Sequence, residues 1–529
     1  MAIVYFDSNV SAAISGGDKI KWRTEDILAA MDRVGIGGAL MYAGWLRTRA
    51  PENGNDRLLE ELEKGKGRLF GCYAIAPESY GFSVSPDDLV TEMRTKGMKA
   101  AVMFPRSNGY APDEKTMGTY YSALEKANIP LIVDGAEMNW YELEEVLSGH
   151  PALNVIYVGA SWAFAINLIA YMKKYPNLYT DLSSMQANYL IEALVKEFGA
   201  ERIVFGTGLP MKSPGAARAF IDYAMISDEE KRLIAGENLA RLCGMELPSP
   251  AEVNCDYIAK EASEGKPLSD LVLDSHAHFI DDNDQCGGGV ILMLNGDLEH
   301  MALLSEKMGV DGYCVAPWLA IWTDSEAGNE IALKMAKRDS RVYPYLLIDP
   351  NYVEDVKAVV DKYQLGEKFP GMKMFRSRIR RRYNDPVFDY WWKVANEKKI
   401  YALLDSGSYP EYLSDMAELA EKYPEVSIFL DHAGRDFATA EAYAALAKKY
   451  ENVYLQLTYT SVPEGVIEYL CKEGLAHKTM YGTDAPMRDP RPQMGWVAYA
   501  DISVEDKRLI LGGNMKRVLD RNLIFNNVK

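Results

Sequence analysis

A chain of 529 residues, 48% hydrophobic, 25% charged and 11% aromatic, has ordinary globular composition and enough length for two sizeable domains. Its net charge of −18 argues against a nucleic-acid partner or an anionic membrane surface. Six scattered cysteines (Cys72, Cys243, Cys255, Cys286, Cys314 and Cys471), with no Cys-x-x-Cys pair, suit a reducing cytoplasm better than a disulfide framework.

No basic region precedes the first apolar run, and Asp7 interrupts that run, so no signal peptide is expected. Strands are then predicted near Ile3–Asp7, Gly38–Ala43, Leu69–Ala76, Met98–Pro105, Pro130–Asp134, Val155–Gly159, Leu178–Leu182 and Ile203–Gly206. Helix signals lie between them. Ser85-Pro86-Asp87-Asp88, for example, supplies an N-cap, a proline at the first helical position and acid in the first turn. Val155 to Met172 is nearly apolar for about the length of a membrane span. Gly159, Ser161 and Asn167 interrupt it, and its later counterpart carries Asp431, His432, Arg435 and Asp436, so it reads as a buried strand and helix. Glu246-Leu-Pro-Ser-Pro250 ends the last helix and opens a linker over 246–270. Eight more strands follow, near Leu271–Asp274, Gly312–Ala316, Val342–Ile348, Gly371–Phe375, Ile400–Asp405, Ser427–Asp431, Val453–Leu457 and Thr479–Gly482. Eight βα units in roughly 250 residues fit a (β/α)8 barrel. The expected fold is therefore α/β, two tandem (β/α)8 TIM-like barrels, with an open doubly wound sheet as the structural alternative.

The two halves repeat one another. Phe205-Gly-Thr-Gly-Leu-Pro210 matches Tyr481-Gly-Thr-Asp-Ala-Pro486, and Ile226-Ser-Asp-Glu-Glu-Lys-Arg-Leu-Ile234 matches Ile502-Ser-Val-Glu-Asp-Lys-Arg-Leu-Ile510. Asn238 and Asn514 follow in register. Gly97-Met98-Lys99 matches Gly371-Met372-Lys373, and Asn177-Leu-Tyr-Thr-Asp181 matches Asn452-Val-Tyr-Leu-Gln456. Phe6-Asp7-Ser8-Asn9 matches Leu273-Asp274-Ser275-His276. So many ordered matches indicate a tandem duplication.

In the second half, polar residues able to bind metal follow the apolar strands, where a barrel of this type carries its catalytic groups. Strand one ends in His276 and His278, two of only six histidines in the chain. Residues i and i+2 of a strand face the same way, so the two imidazoles can grip one ion. Strand four gives Lys373, strand five Asp405, strand six His432 and strand eight Asp484. Singly, each has an ordinary explanation: a salt-bridged lysine, a core histidine, an N-capping aspartate. Together they point to a metal site. Phe375-Arg-Ser-Arg-Ile-Arg-Arg-Arg-Tyr383 packs five arginines into an acidic protein. Arg376 and Arg378 are candidates to bind a substrate carboxylate, and pairing with acidic surface or with the other half of the chain is the alternative. Arg435 and Arg488 lie just beyond His432 and Asp484 and are similar candidates. Trp318 and Trp322 could wall an aromatic pocket.

His276-Ala-His278, Gly371-Met-Lys373, Asp431-His432-Ala-Gly434 and Tyr481-Gly-Thr-Asp484-Ala-Pro486 together resemble the amidohydrolase superfamily, in its amidohydrolase-related branch of metal-dependent hydrolases and decarboxylases. The resemblance covers residues 271 to about 520 and names no substrate. It implies one divalent metal per chain, commonly zinc, held by His276, His278 and Asp484. It implies that Asp484 is also a general base, and that His432 binds metal or polarises substrate. The family usually has another histidine after strand five. Asp405 stands there, as a further candidate ligand that could favour manganese.

At the matching positions the first half has Asn9 and Ser11 for the two histidines, Gly208 for Asp484, and Gly159 or Ala160 for His432. Lys99 and Asp134 remain. The expected domains are thus 1–245, a degenerate barrel without metal ligands; the linker 246–270; and the catalytic barrel 271–529. The leading expectation is a cytoplasmic metal-dependent hydrolase of an amide, lactone or related bond in a small, carboxylated or cyclic substrate. Non-oxidative decarboxylation, a hydratase reaction and a non-catalytic binding role are the alternatives. The expected partner is a small molecule, with neither nucleic acid nor membrane. A homo-oligomer is compatible with the sequence.

Overall fold

The computed structural model describes residues 3–12, 14–15, 20–47, 51–78, 83–282, 291–405 and 411–522. The chain divides into two compact units between Ser263 and Glu264. That boundary falls inside the stretch 246–270, which itself holds the helix Tyr257–Ser263. Cys286 lies outside the described residues, and no disulfide joins the other five cysteines among the described residues. No described helix is long and apolar enough to cross a membrane.

Each unit is a (β/α)8 barrel whose eight strands pair in parallel in sequence order. In the first, strand one is Tyr5–Ala12, strand four Ala100–Met103, strand five Leu131–Asp134, strand seven Leu178–Asp181 and strand eight Ile203–Val204. In the second, the strands are Leu273–Ala277, Gly312–Val315, Val342–Leu347, Gly371–Met374, Tyr401–Leu404, Ser427–Leu430, Val453–Leu457 and Thr479–Tyr481. Strand one runs further than expected in both units, past the aspartate. In the second barrel this places His276 within the strand.

Most of the repeated residues build this frame. Asp274 Oδ1 accepts the His276 and Thr483 backbone N–H groups (2.9 and 3.1 Å), and its Oδ2 accepts from Thr483 Oγ1 (2.6 Å). Asp7 does the same with Asn9 and Thr207, at 2.9, 3.0 and 2.5 Å. This clamp ties strand eight to strand one where the ladder is thinnest. Asn238 Nδ2 bridges the Ala200 and Ile203 carbonyls, as Asn514 Nδ2 bridges those of Ala476 and Thr479. Asn177 and Asn452 each donate to three carbonyls in the last turn of a helix and the loop after it. Each satisfies backbone acceptors that burial would otherwise leave unpaired.

The interior of the second barrel is filled by side chains such as Tyr345, Tyr401 and Phe429. The Tyr401 ring stacks on Phe429 at 5.5 Å and meets Tyr345 edge-on at 5.1 Å. A Cβ on Gly371 would lie 2.3 Å from the Tyr401 ring, so strand four must begin with glycine. Tyr345 Oη donates to the Ser275 carbonyl (2.6 Å), fixing strand one from the barrel floor.

One repeat match is overturned. Gly97 has φ +67 and follows the helix Pro86–Thr95, whereas Gly371 opens a strand. In both barrels a phenylalanine, Phe104 or Phe375, precedes a short helix that ends at a left-handed residue, Gly109 or Arg380. Aligned on that feature, Val102 takes the place of Lys373. Lys99 precedes its strand and is no counterpart.

Candidate metal centre

The structure brings His276 and His278 together at the C-terminal end of strand one. Their Nε2 atoms are 2.9 Å apart and their rings nearly perpendicular, at 87°. Asp484 Oδ1 lies 3.2 Å from His276 Nε2 and 3.3 Å from His278 Nε2. All three residues are buried.

The other ring nitrogens set the tautomers. His278 Nδ1 faces the Ala316 carbonyl (2.8 Å), which can only accept, so Nδ1 carries the proton. His276 Nδ1 faces Gln456 Oε1 (3.2 Å) and Asp431 Oδ1 (3.3 Å), again acceptors. Both Nε2 atoms therefore point lone pairs at one focus, beside a carboxylate oxygen. Histidines oriented through Nδ1 to carbonyl or carboxylate groups are the usual arrangement around a metal. Burial and the nearby Lys373 ammonium push His278 down to about 3, which favours the neutral imidazole, the form able to ligate. By chemistry and placement this donor set fits a divalent cation.

Lys373 lies at the same focus. Its Nζ contacts His276 Nε2 (2.5 Å) and His278 Nε2 (3.2 Å), and its side chain is buried. Burial lowers its pKa, opposed by the charges of Asp431, Asp484 and Asp405. It is therefore part of the centre and not a solvated surface lysine.

Asp405, Asp431 and His432 form a second group able to hold a metal, with ligand atoms within 4.8 Å of one another. Asp405 belongs to this group and not to the histidine pair. Its Oδ2 accepts from Ser377 Oγ (2.9 Å), and burial and Asp431 raise its pKa. His432 Nδ1 faces Thr458 Oγ1 (2.7 Å), which in turn contacts Asp431 Oδ1 (2.8 Å). If the hydroxyl proton goes to the carboxylate, Thr458 accepts from His432 Nδ1 and Nε2 is left with a lone pair. Burial lowers the His432 pKa, which favours this neutral form.

His432 has φ 56 and Asp484 φ 63, a left-handed conformation costly for residues with a Cβ. In the first barrel Gly159 (φ 66) and Gly208 (φ 73) stand at the corresponding turns. The matching φ settles the alignment: His432 corresponds to Gly159, not Ala160. Burial would raise the Asp484 pKa, but the charges facing it, the Arg488 guanidinium among them, hold it well below the usual carboxylate range.

The other expected residues separate. Arg488 forms an ion pair with Asp484 through Nη1, and its Nε donates to Thr460 Oγ1 (2.8 Å). Arg435 lies over the Tyr459 ring at 5.7 Å, with Arg488 at 5.4 Å from the same ring. Trp318 is buried and packs edge-on against His278 at 6.2 Å. Arg376 takes the alternative reading, an acidic pairing: its guanidinium pairs with Glu411 and approaches Asp415, at the start of the helix Tyr412–Lys422 that follows strand five. Arg378 is exposed and lines clefts beside the site.

Sequence reasoning missed Asp431, Gln456, Thr458 and Tyr459 as site residues. Asp431 was visible only as the neighbour of His432. The polar Gln456 and Thr458 at the end of strand seven were the available signal for the others. Among the described residues, both metal-capable groups lie in the second unit. In the first, Asn9 Oδ1 accepts from Tyr42 Oη (3.3 Å), and Asp134 pairs with Arg47 (2.7 Å).

Comparison with curated proteins finds no match. Several solved structures resemble about half of the chain. An uncharacterised TIM-barrel protein of Bordetella bronchiseptica is 15% identical, covering 46% of this chain and 99% of its own, with a TM-score of 0.37. A 2,6-dihydroxybenzoate decarboxylase from Rhizobium is 16% identical, covering 46% and 99%, with a TM-score of 0.37. A 5-carboxyvanillate decarboxylase from Sphingomonas paucimobilis is 13% identical, covering 46% and 100%, with a TM-score of 0.36. The amidohydrolase family pattern matches twice, over residues 17–244 and 274–521, once across each barrel. A match over both barrels accounts for nearly the whole chain, which therefore belongs to the amidohydrolase family.

Proposed function

We propose that the second barrel is a metal-dependent hydrolase site acting on an amide, lactone or related bond of a small molecule, and that the first is its metal-free companion. One observation carries this reading: the lone pairs of His276 Nε2 and His278 Nε2 converge with Asp484 Oδ1 on one buried point. Two imidazoles and a carboxylate suit zinc. Recruitment of Asp405 would shift the preference toward manganese. A divalent ion bound there supplies Lewis acidity and makes water nucleophilic near neutral pH.

The chain's own groups handle the proton and the charge. Asp484, ionised beside Arg488, accepts the proton of the attacking water and returns it to the leaving atom. Arg488 holds the carboxylate in position for both steps. Lys373 Nζ, buried at the same focus, is placed to donate to the oxyanion that develops on the substrate. His432 adds a lone pair at Nε2. Decarboxylation is the second reading, favoured by Asp405. Burial beside Asp431 raises its pKa, which favours the protonated form as the donor to the carbon that loses carbon dioxide.

Metal analysis of purified protein should give about one equivalent per chain, and His276→Ala should abolish it. Protein that takes up no divalent ion when supplied, or an alanine variant that keeps metal and activity, would overturn the reading. Carbon dioxide release from a carboxylate panel, without hydrolysis of amides or lactones, would favour the lyase.

A further inference from the structure

The arginine-rich segment after strand four closes one wall of a cleft of about 760 Å³ beside the metal centre. Its arginines are not equivalent. Arg376 pairs with Glu411, Arg381 with Asp385 (3.3 Å) and Arg382 with Asp415. Arg378 and Arg380 are exposed, and neither guanidinium has an ion-pair or hydrogen-bond partner among the described residues. Both line the cleft. Arg380 is left-handed (φ 57), so the chain reverses there and keeps both cations at one wall.

Two exposed aromatic rings complete the cleft: Trp322, 42% exposed, and Tyr352, 74% exposed. Large aromatic surface beside unpaired guanidinium groups suits a flat ligand bearing negative charge. The cleft adjoins the metal centre on two sides. Trp322 contacts Trp318 at 5.4 Å, and Trp318 contacts His278 at 6.2 Å. Ser377, also lining the cleft, donates to Asp405 (2.9 Å).

We propose that this cleft binds an anionic group of the substrate, a carboxylate or phosphoryl group clamped by Arg378 and Arg380, while the adjoining flat part of the molecule lies on Trp322 and Tyr352. The inference rests on the hydrolase reading. It adds that the substrate carries its charge two ring contacts away from the reacting bond. Guanidinium groups bind either anion bidentately. In a chain of net charge −18, two unpaired cations are also a local attractor for such a ligand.

Benzoate, phenyl phosphate and neutral benzyl alcohol test this by calorimetry on the full chain, as wild type, as the Arg378→Ala/Arg380→Ala double variant and as His276→Ala. Wild type should bind at least one anion 10-fold or more tighter than the alcohol, less so as salt rises. Whichever anion binds tighter identifies a phosphoryl or carboxylate source. The double variant should lose the preference while keeping metal content and circular dichroism. His276→Ala should keep the preference, because the clamp is not the metal. Equal binding of anions and alcohol by wild type, no anion binding at all, or wild-type anion affinity in the double variant each overturns the clamp. Metal retained in His276→Ala would instead overturn the hydrolase reading, so the two failures are separable.

Discussion

If the left-handed backbone at His432 is kept for chemistry, two variants that delete the same side chain should differ in stability with the opposite sign to normal. His432→Ala and His432→Gly both lose the Thr458 contact and the edge-on packing on Tyr459 at 5.3 Å. Those losses cancel in the comparison, leaving the backbone at φ 56. A left-handed alanine costs about 1–2 kcal/mol. Glycine escapes this but loses about 0.4–1 kcal/mol more chain entropy on folding. The net is about 1 kcal/mol in favour of glycine, whereas in a helix or strand interior glycine is worse than alanine by roughly 0.5–1 kcal/mol. For a unit of this size the glycine variant should melt about 2–4 °C above the alanine variant. Scanning calorimetry with a chelator present removes any contribution from bound metal. Gly159→Ala, which imposes the same strain on the first barrel, identifies that barrel's transition by lowering it. Both His432 variants should bind metal more weakly. An alanine variant that melts at or above the glycine variant would refute the reasoning, because the backbone would then carry no strain for the side chain to justify.

Gln456→Leu removes the acceptor at His276 Nδ1 (3.2 Å) while nearly preserving volume. Metal affinity, read by chelator competition, should fall about 10-fold, and an unchanged affinity would mean that Asp431 alone orients the ring. Burial raises Asp7 in the first barrel from 3.8 to about 6. Its folded-state pKa lies above the unfolded value, so its contribution to stability is complete below about 3.8 and lost as pH rises through about 6. Compared with Asp7→Asn, the wild type should lose up to about 3 kcal/mol between pH 4 and 7. Urea unfolding at both pH values checks this, and parallel pH dependences in the two proteins would refute it.

The barrels were legible because period and punctuation repeat. Eight apolar runs per half, separated by amphipathic stretches, leave little else to build. The duplication was legible for a more particular reason. Asp7 and Asp274, Thr207 and Thr483, and the two asparagine pairs close strands and satisfy buried carbonyls in both halves, so side chain and spacing are held together. The histidine pair was legible because two-residue spacing in a strand fixes direction. The partners of Arg376 were not, because nothing along the chain says that Glu411 and Asp415 will face it from the start of the helix after strand five. Lys373 was legible as one of the polar strand-end groups of the site, but its direct contact with His276, 97 residues away, was not, because that requires knowing that strands one and four aim at one point.

The contrast between the halves separates architecture from chemistry more sharply than residue matching does. Gly97-Met-Lys99 matched Gly371-Met-Lys373 letter for letter, yet the first glycine turns the chain after a helix and the second makes room for Tyr401. Identity of residues was misleading there. Identity of backbone was the better guide. Gly159 and His432, and Gly208 and Asp484, share no side chain but share a left-handed φ. Where only the frame has to be kept, the chain uses the residue that adopts that conformation without strain. Where it uses histidine and aspartate instead, it accepts strain at two turns of the same barrel, both at the proposed centre. Local conformational preference would not select those residues, and packing does not require them, because the first barrel folds with glycine. What remains to hold them there is the chemistry of the centre that they share with His276 and His278.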